Sequence, residues 1–142
     1  MRALLDVNVL IALLDADHAF HDTAWNWLDR NQREGWASCP VTQNGCIRIM
    51  SHPAYPNTIS VRAIAERLTE ATRSQLHEFW PDDVSILDAN LFDLERVHGP
   101  RQLTDTYLLA LAVRHEGRFV TFDRSVSQRA VLSAGAGHLV VL

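Results

Sequence analysis

The chain has 142 residues, enough for one domain with a real core and too few for two ordinary ones. With 47% apolar and 21% charged residues it has a globular balance, and no apolar run approaches the ~18 residues that a membrane span needs. Its net charge of −4 excludes a general nucleic-acid coat protein, and since all 13 basic residues are arginine, mechanisms that need a lysine are excluded as well.

The opening run "MRALLDVNVLIALLDADH" superficially suggests a signal peptide, but Asp6 and Asn8 interrupt it and no small-residue cleavage site follows. It reads as a buried strand, with Arg2 to Asp6 ending in a carboxylate, and the protein is expected in the cytoplasm. "HDTAWNWLDRNQREG" is a helix with Ala24, Trp25 and Leu28 on one face and Gly35 as its stop. "WASCPV" is a second strand, after which Thr42 caps a helix reaching about Met50. Cys39 and Cys46 match no zinc or redox spacing and are expected as free, buried thiols. "SHPAYPNT" is a loop set by two prolines. Ser60 caps a helix with Val61, Ile64, Leu68 and Ala71 at helical spacing, and "HEFWPDDVSIL" holds a short strand ended by Pro81 or lying beside it. Asp88 caps a helix to about Val97, and "HGPRQ" breaks the chain. Thr104 caps a helix to Glu116 that Gly117 stops. "RFVTF" is a strand, "SVSQRAVL" a short helix and "HLVVL" the last strand.

Strands alternating with helices make a parallel sheet covered on both faces, a three-layer α/β/α sandwich of roughly five strands, expected as a single domain over residues 1–142. In such sheets the ligand sits outside the carboxyl ends of the strands. Asp6 and Asp123 each fall at such an end. Asp105 begins the helix that leads into the strand before Asp123. About twelve helical residues cover roughly 18 Å and about five strand residues roughly 17 Å, in opposite directions. Asp105 and Asp123 therefore meet at one edge, together with Asp6.

Three carboxylates drawn together repel one another and raise one another's pKa unless a cation neutralises them. Mg²⁺ and Mn²⁺ take carboxylate oxygens and keep several waters. Such an ion activates water and screens phosphoryl charge, so the implied chemistry is phosphoester hydrolysis. Taken singly, Asp105 is explained by the helix dipole and Asp123 by a turn. Asp6 is harder to explain away, because a charge inside an apolar stretch is costly without a partner.

"LLDVNVLIALL", "CPVTQNGCIRIMSHPAYP" and "LTDTYLLALAVRHEGRFVTFD", in this order over almost the whole chain, resemble a PIN-domain protein, and more narrowly a VapC-type toxin of a bacterial toxin–antitoxin pair. The resemblance implies a Mg²⁺- or Mn²⁺-dependent endoribonuclease that cuts RNA, works as a homodimer and is neutralised by a VapB-like antitoxin. It makes Asp6 and Asp105 the principal metal ligands and Asp123 the further acid, direct or through water. Asn8 resembles the family's polar supporting residue, and Thr104 orients Asp105 or a substrate phosphate. Gln43 stands where the family usually has glutamate. An amide adds no charge and is a poor general base, which motivates the rival reading of a non-catalytic PIN-like module that binds RNA or protein. Arg48, Arg101 and Arg124 are candidates for RNA phosphates, and the four tryptophans are expected mainly in packing. His18, His21 and Asp22 are explained by helix capping and solvation. A phosphorylation receiver and a haloacid-dehalogenase-like phosphatase both need a lysine that the chain lacks, and the latter would carry an aspartate where Asn8 stands.

Overall fold

The computed structural model describes residues 1–142. Five strands, β1 (Ala3–Leu5), β2 (Trp36–Ser38), β3 (His77–Phe79), β4 (Arg118–Thr121) and β5 (Leu139–Val141), form one sheet in the order β3-β2-β1-β4-β5. Every pairing is parallel. Five α-helices connect them: α1 (Val7–Leu14), α2 (His21–Asn31), α3 (Pro40–Met50), α4 (Val61–Thr72) and α5 (Leu103–Arg114). The chain leaves β1 in one direction for β2 and β3 and returns on its other side as β4 and β5. The order therefore reverses between β1 and β4, where a doubly wound sheet opens its ligand crevice.

Both faces of the sheet are buried, so its central strands read as unbroken apolar runs. Leu4, Ala37 and Phe119 point to one layer, packed with Leu108, Leu109 and Leu111 of α5 and with Trp80. Ala3, Leu5, Trp36 and Val120 point to the other, against Val9 and Leu10 of α1, Ala24 of α2, Cys46 and Met50 of α3, and Ile64 of α4. Each fully buried leucine here is worth about 1.5–3 kcal/mol over an exposed one. Both cysteines are free and buried.

Several local expectations need correction. Residues 7–14 form α1 rather than continuing the first strand, because Asp6 caps them by accepting from the Val7 N–H at 2.6 Å. Cys39, not Thr42, is the N-cap of α3. Pro40 takes the first helical position and Thr42 reaches back to accept from the Cys39 N–H at 3.0 Å. Asp88 to Val97 is not an α-helix. Asp88 accepts from the Asn90 N–H in a local turn, buried Phe92 bridges to Val131, and only Leu94–Arg96 make a 3₁₀ turn. α5 starts at Leu103 behind Gln102, which leaves Thr104 inside its first turn and exposed instead of capping it. The helix expected over 125–132 shrinks to a 3₁₀ turn at Gln128–Ala130.

α2 ends at Asn31, short of the expected stop, and Gly35, at φ 73°, closes the 3₁₀ turn Gln32–Glu34 that follows it. After α5, however, the left-handed residue is Glu116, at φ 55°. Gly117 is required for another reason: a Cβ there would stand 2.5 Å from Trp80 Cη2 and 2.7 Å from the Arg2 carbonyl. We expect Gly117→Ala to cost about 1–3 kcal/mol by overpacking, measurable as a lower urea midpoint with an unchanged slope.

Candidate active site

Asp6 leaves the end of β1 with its N–H bonded to the Val120 carbonyl at 2.9 Å, and it is only 6% exposed. Its Oδ1 accepts from Val7 and its Oδ2 accepts from the Thr121 hydroxyl at 2.5 Å. Thr121, fully buried at the end of β4, is the hub of the site. Its Oγ1 donates to Asp6 and accepts from Asn8 Nδ2 at 3.2 Å and from the Asp123 N–H at 3.0 Å. One donor and two lone pairs are thereby all used. Asn8 also accepts from the Phe122 N–H at 3.3 Å. The ends of β1 and β4 are tied together across the switch point by one hydroxyl and one amide.

Thr121 was not singled out in the sequence. Its signal is its place two residues before Asp123 in "VTFD", on the same side of the strand. We expect Thr121→Val to leave Asp6 Oδ2 without its donor, to cost about 1–3 kcal/mol of stability and to lower activity about 10- to 100-fold. Urea unfolding and cleavage kinetics on one preparation would measure both.

Asp105 is the third residue of α5 and half-buried. Burial, then the charges of Asp6 and Asp123, push its carboxyl up to about 7. Burial also raises Asp6, against the donors Thr121, Val7 and Asn8, with the Asp123 charge adding to the rise. Asp123 moves the other way, because the Ser125 N–H, 2.7 Å from its Oδ1, stabilises the carboxylate. The three acids thus sense one another at one edge, and without metal Asp105 gives up its proton only around neutrality.

Unfolded, Asp105 releases its proton near 3.8, whereas folded it holds the proton to about 7. Its contribution is fully present below pH 4 and is lost as the pH rises through about 7. At pH 8 and without metal, Asp105→Asn is expected to gain about 1–2 kcal/mol, a figure already reduced for the partly solvated position, and the gain should vanish at pH 4. Denaturant midpoints at the two pH values measure it.

The other candidates divide. Gln43 lies near the start of α3, at the carboxyl end of β2, with its Nε2 donating to Ser38 Oγ at 2.9 Å; Ser38 in turn bonds His77 Nε2 at 2.8 Å. Thr104 is exposed beside Asp105 and makes no side-chain hydrogen bond to it; the neighbouring Thr106 hydroxyl turns back to the Gln102 carbonyl. Arg101 and Arg124 are exposed on two segments joined by Gln102, whose Nε2 donates to the Ser125 carbonyl at 2.9 Å. Neither arginine has a carboxylate partner. Arg48 does not belong with them. It stands near the far end of α3, roughly 12 Å down the helix at 1.5 Å per residue, beside His52, Tyr55 and Pro56.

The tryptophans are away from the acids: Trp36 and Trp80 are buried, Trp25 donates to the Leu13 carbonyl, and Trp27 lies under Arg118. His21 bonds the Ala12 carbonyl from the start of α2.

The donor set suits a hard cation. All three acids offer carboxylate oxygen, and a cation beside Asp105 would offset the burial and the Asp6 and Asp123 charges that raise it. No three His, Cys, Asp or Glu side chains form a ready-made cage. An ion that keeps most of its waters, as Mg²⁺ does, needs only one or two carboxylates directly.

A family model described as PIN domain matches residues 3–132. The chain is 54% identical to ribonuclease VapC44 of Mycobacterium tuberculosis over the whole of both chains. It is 41% identical to ribonuclease VapC39 of the same organism, again over the full length of both. Among solved structures, VapBC2 from Rickettsia felis, bound to a DNA fragment from their promoter, aligns at TM-score 0.62 and 12% identity over 100% of this chain and 98% of that one. The M. tuberculosis sarcin–ricin loop cleaving toxin VapC20 aligns at TM-score 0.57 and 14% identity, over 92% of this chain and 96% of that one. At those identities the two structures speak for the fold, and they share its architecture. The family match and the full-length relatives decide the identity: the chain belongs to the PIN-domain family, in its VapC branch.

Proposed function

We propose that this chain is a divalent-metal-dependent endoribonuclease and the toxin of a type II toxin–antitoxin pair, folded as one domain and acting in the cytoplasm; no helix in it is long and apolar enough to cross a membrane. The observation that carries the reading is the acid edge, where buried Asp6 caps α1, Asp105 opens α5 and Asp123 is tied to Asp6 through the Thr121 hydroxyl. The full-length relatives named ribonucleases support the reaction class, and the VapBC2 assembly supports a VapB-like antitoxin as partner. A homodimer and an RNA substrate complete the proposal.

Asp6 and Asp105 would hold Mg²⁺ or Mn²⁺, with Asp123 joining directly or through water. When bound, such an ion lowers the pKa of a coordinated water and offsets charge on the phosphoryl group. The chain's own residues do the rest. Thr121 and Asn8 lock Asp6 and the Asp123 backbone in place. Arg101 and Arg124, solvated and without acid partners, lie beside the edge to hold phosphates on either side of the cut. Gln43, anchored through its NH₂ on Ser38, leaves its carbonyl oxygen without a protein partner and available to accept from water.

Incubating total cellular RNA with the purified protein in Mn²⁺, in Mg²⁺ and in EDTA tests the proposal. Discrete fragments that disappear in EDTA are expected. A folded protein that binds RNA without cutting it in either metal would return the non-catalytic module in its place.

A further inference from the structure

Phe20 is 52% exposed and ends the loop between α1 and α2. Its ring stacks on Phe122, with centroids 5.0 Å apart and planes inclined by 29°. Phe122 immediately precedes Asp123, its N–H is bonded to Asn8, and its ring is partly buried against the core beneath. The pair is therefore a two-ring stack, footed in the core and topped by a ring open to solvent. Its base adjoins Asp123 in the chain, and the unpaired Arg124 comes one residue later. Two other aromatic rings are as exposed, but neither stands at this edge. Trp25 lines an apolar cleft between α1, α2 and α4, and Phe79 lies on the edge strand β3.

An exposed phenylalanine loses hydrophobic stabilisation unless something covers it. The features around this one select the cover. A planar ring offered beside a phosphate-binding arginine and a metal-binding acid matches a nucleotide, whose base stacks while its phosphate is held. Stacking on an aromatic ring tolerates any base, because every base has a π face.

We propose that Phe20, seated on Phe122, is the stacking platform for a nucleobase of the RNA next to the phosphate being cut. The inference rests on the ribonuclease reading and adds a base-binding subsite to it. Phe122 sets the height and tilt of Phe20, and Arg124 holds the adjoining phosphate. The subsite requires an unpaired or flipped-out nucleotide, since a base inside a duplex has no free face. Substrates with a single-stranded loop at the cleavage point are favoured over continuous duplex.

The test measures binding of fluorescent RNA octamers to the full-length protein in EDTA, which prevents cleavage. A base-bearing octamer is compared with one of the same length whose central residues are abasic. Phe20→Ala is expected to weaken the base-bearing octamer roughly tenfold, the weight of one stacked base, with little effect on the abasic one. Phe20→Trp should bind at least as tightly as wild type. Loss of affinity equal for both octamers, or none for either, overturns the platform and leaves the ribonuclease reading standing. Wild-type protein that binds neither octamer and cuts no RNA in Mn²⁺ overturns both. If Phe20→Ala instead converts a dimer to a monomer in sedimentation, the ring is covered by a second copy of the chain and the platform fails.

Discussion

Asp6→Asn is expected to lower metal-dependent RNA cleavage by about 10³-fold or more, because the several kcal/mol of charge stabilisation supplied by a correctly held metal is lost. The substitution separates charge from shape. An asparagine side chain of nearly equal size can keep its oxygen on the Thr121 hydroxyl or the Val7 N–H, the two donors that hold Asp6 now. It also removes one of the two charges that raise Asp105, which offsets the one donor that the asparagine NH₂ cannot accept from, so the metal-free variant should stay close to the parent in stability. Loss of activity together with preserved or raised stability is the signature of a ligand. Loss of both would assign Asp6 to the fold instead. Single-turnover cleavage and urea unfolding on the same preparation distinguish the two.

Phe119→Ala is expected to cost about 3–5 kcal/mol, a large share of the roughly 5–15 kcal/mol that holds a domain of this size together. Phe119 is fully buried at the middle of the sheet. It pairs in register with Leu4 on one side and Leu139 on the other, and packs in the same layer as Leu108, Leu109 and Leu111. Removing the ring leaves a hole walled by two neighbouring strands and a helix, which cannot collapse without pulling β4 out of register. β4 also carries Thr121 and leads to Asp123, so activity should fall with stability, and half-unfolding in urea should arrive well below the parent's midpoint. A loss under 1 kcal/mol would mean that the layer repacks freely.

The acid edge was legible because it depends on chain direction alone. Apolar runs ending in Asp6 and Asp123, with a helix opening near Asp105, can only bring their acidic ends to one side of a parallel sheet. What was not legible depended on tertiary partners. Residues 7–14 are apolar almost throughout, so neither a period of two nor one of 3.6 stands out, and the helix is decided by Asp6 acting as its cap as well as a site acid. Asp88 looked like a helix start, but a buried Phe92 paired with Val131 draws that segment into an irregular connection. Thr121 was hidden because a threonine inside a strand is ordinary; only the bonds from Asn8, Asp123 and Asp6 converging on its hydroxyl distinguish it. Arg48 shares its candidacy with Arg101 and Arg124 in the sequence but not its place in the fold: α3 leads away from the edge, and Arg48 goes with it. Phe20, in a short loop with no periodicity, becomes informative only when Phe122 is seen beneath it.

The central claim is that Asp6, Asp105 and Asp123 share one divalent cation. The most direct measurement is calorimetric titration of the metal-free protein with Mn²⁺ at pH 7, repeated in buffers of different ionisation enthalpy so that protons are counted along with ions. With Asp105 held at about 7, the expected result is binding accompanied by release of about half a proton, with the proton release abolished in Asp105→Asn and affinity much reduced in Asp6→Asn. Binding that releases no proton and is unchanged by both substitutions would put the metal elsewhere and contradict the claim.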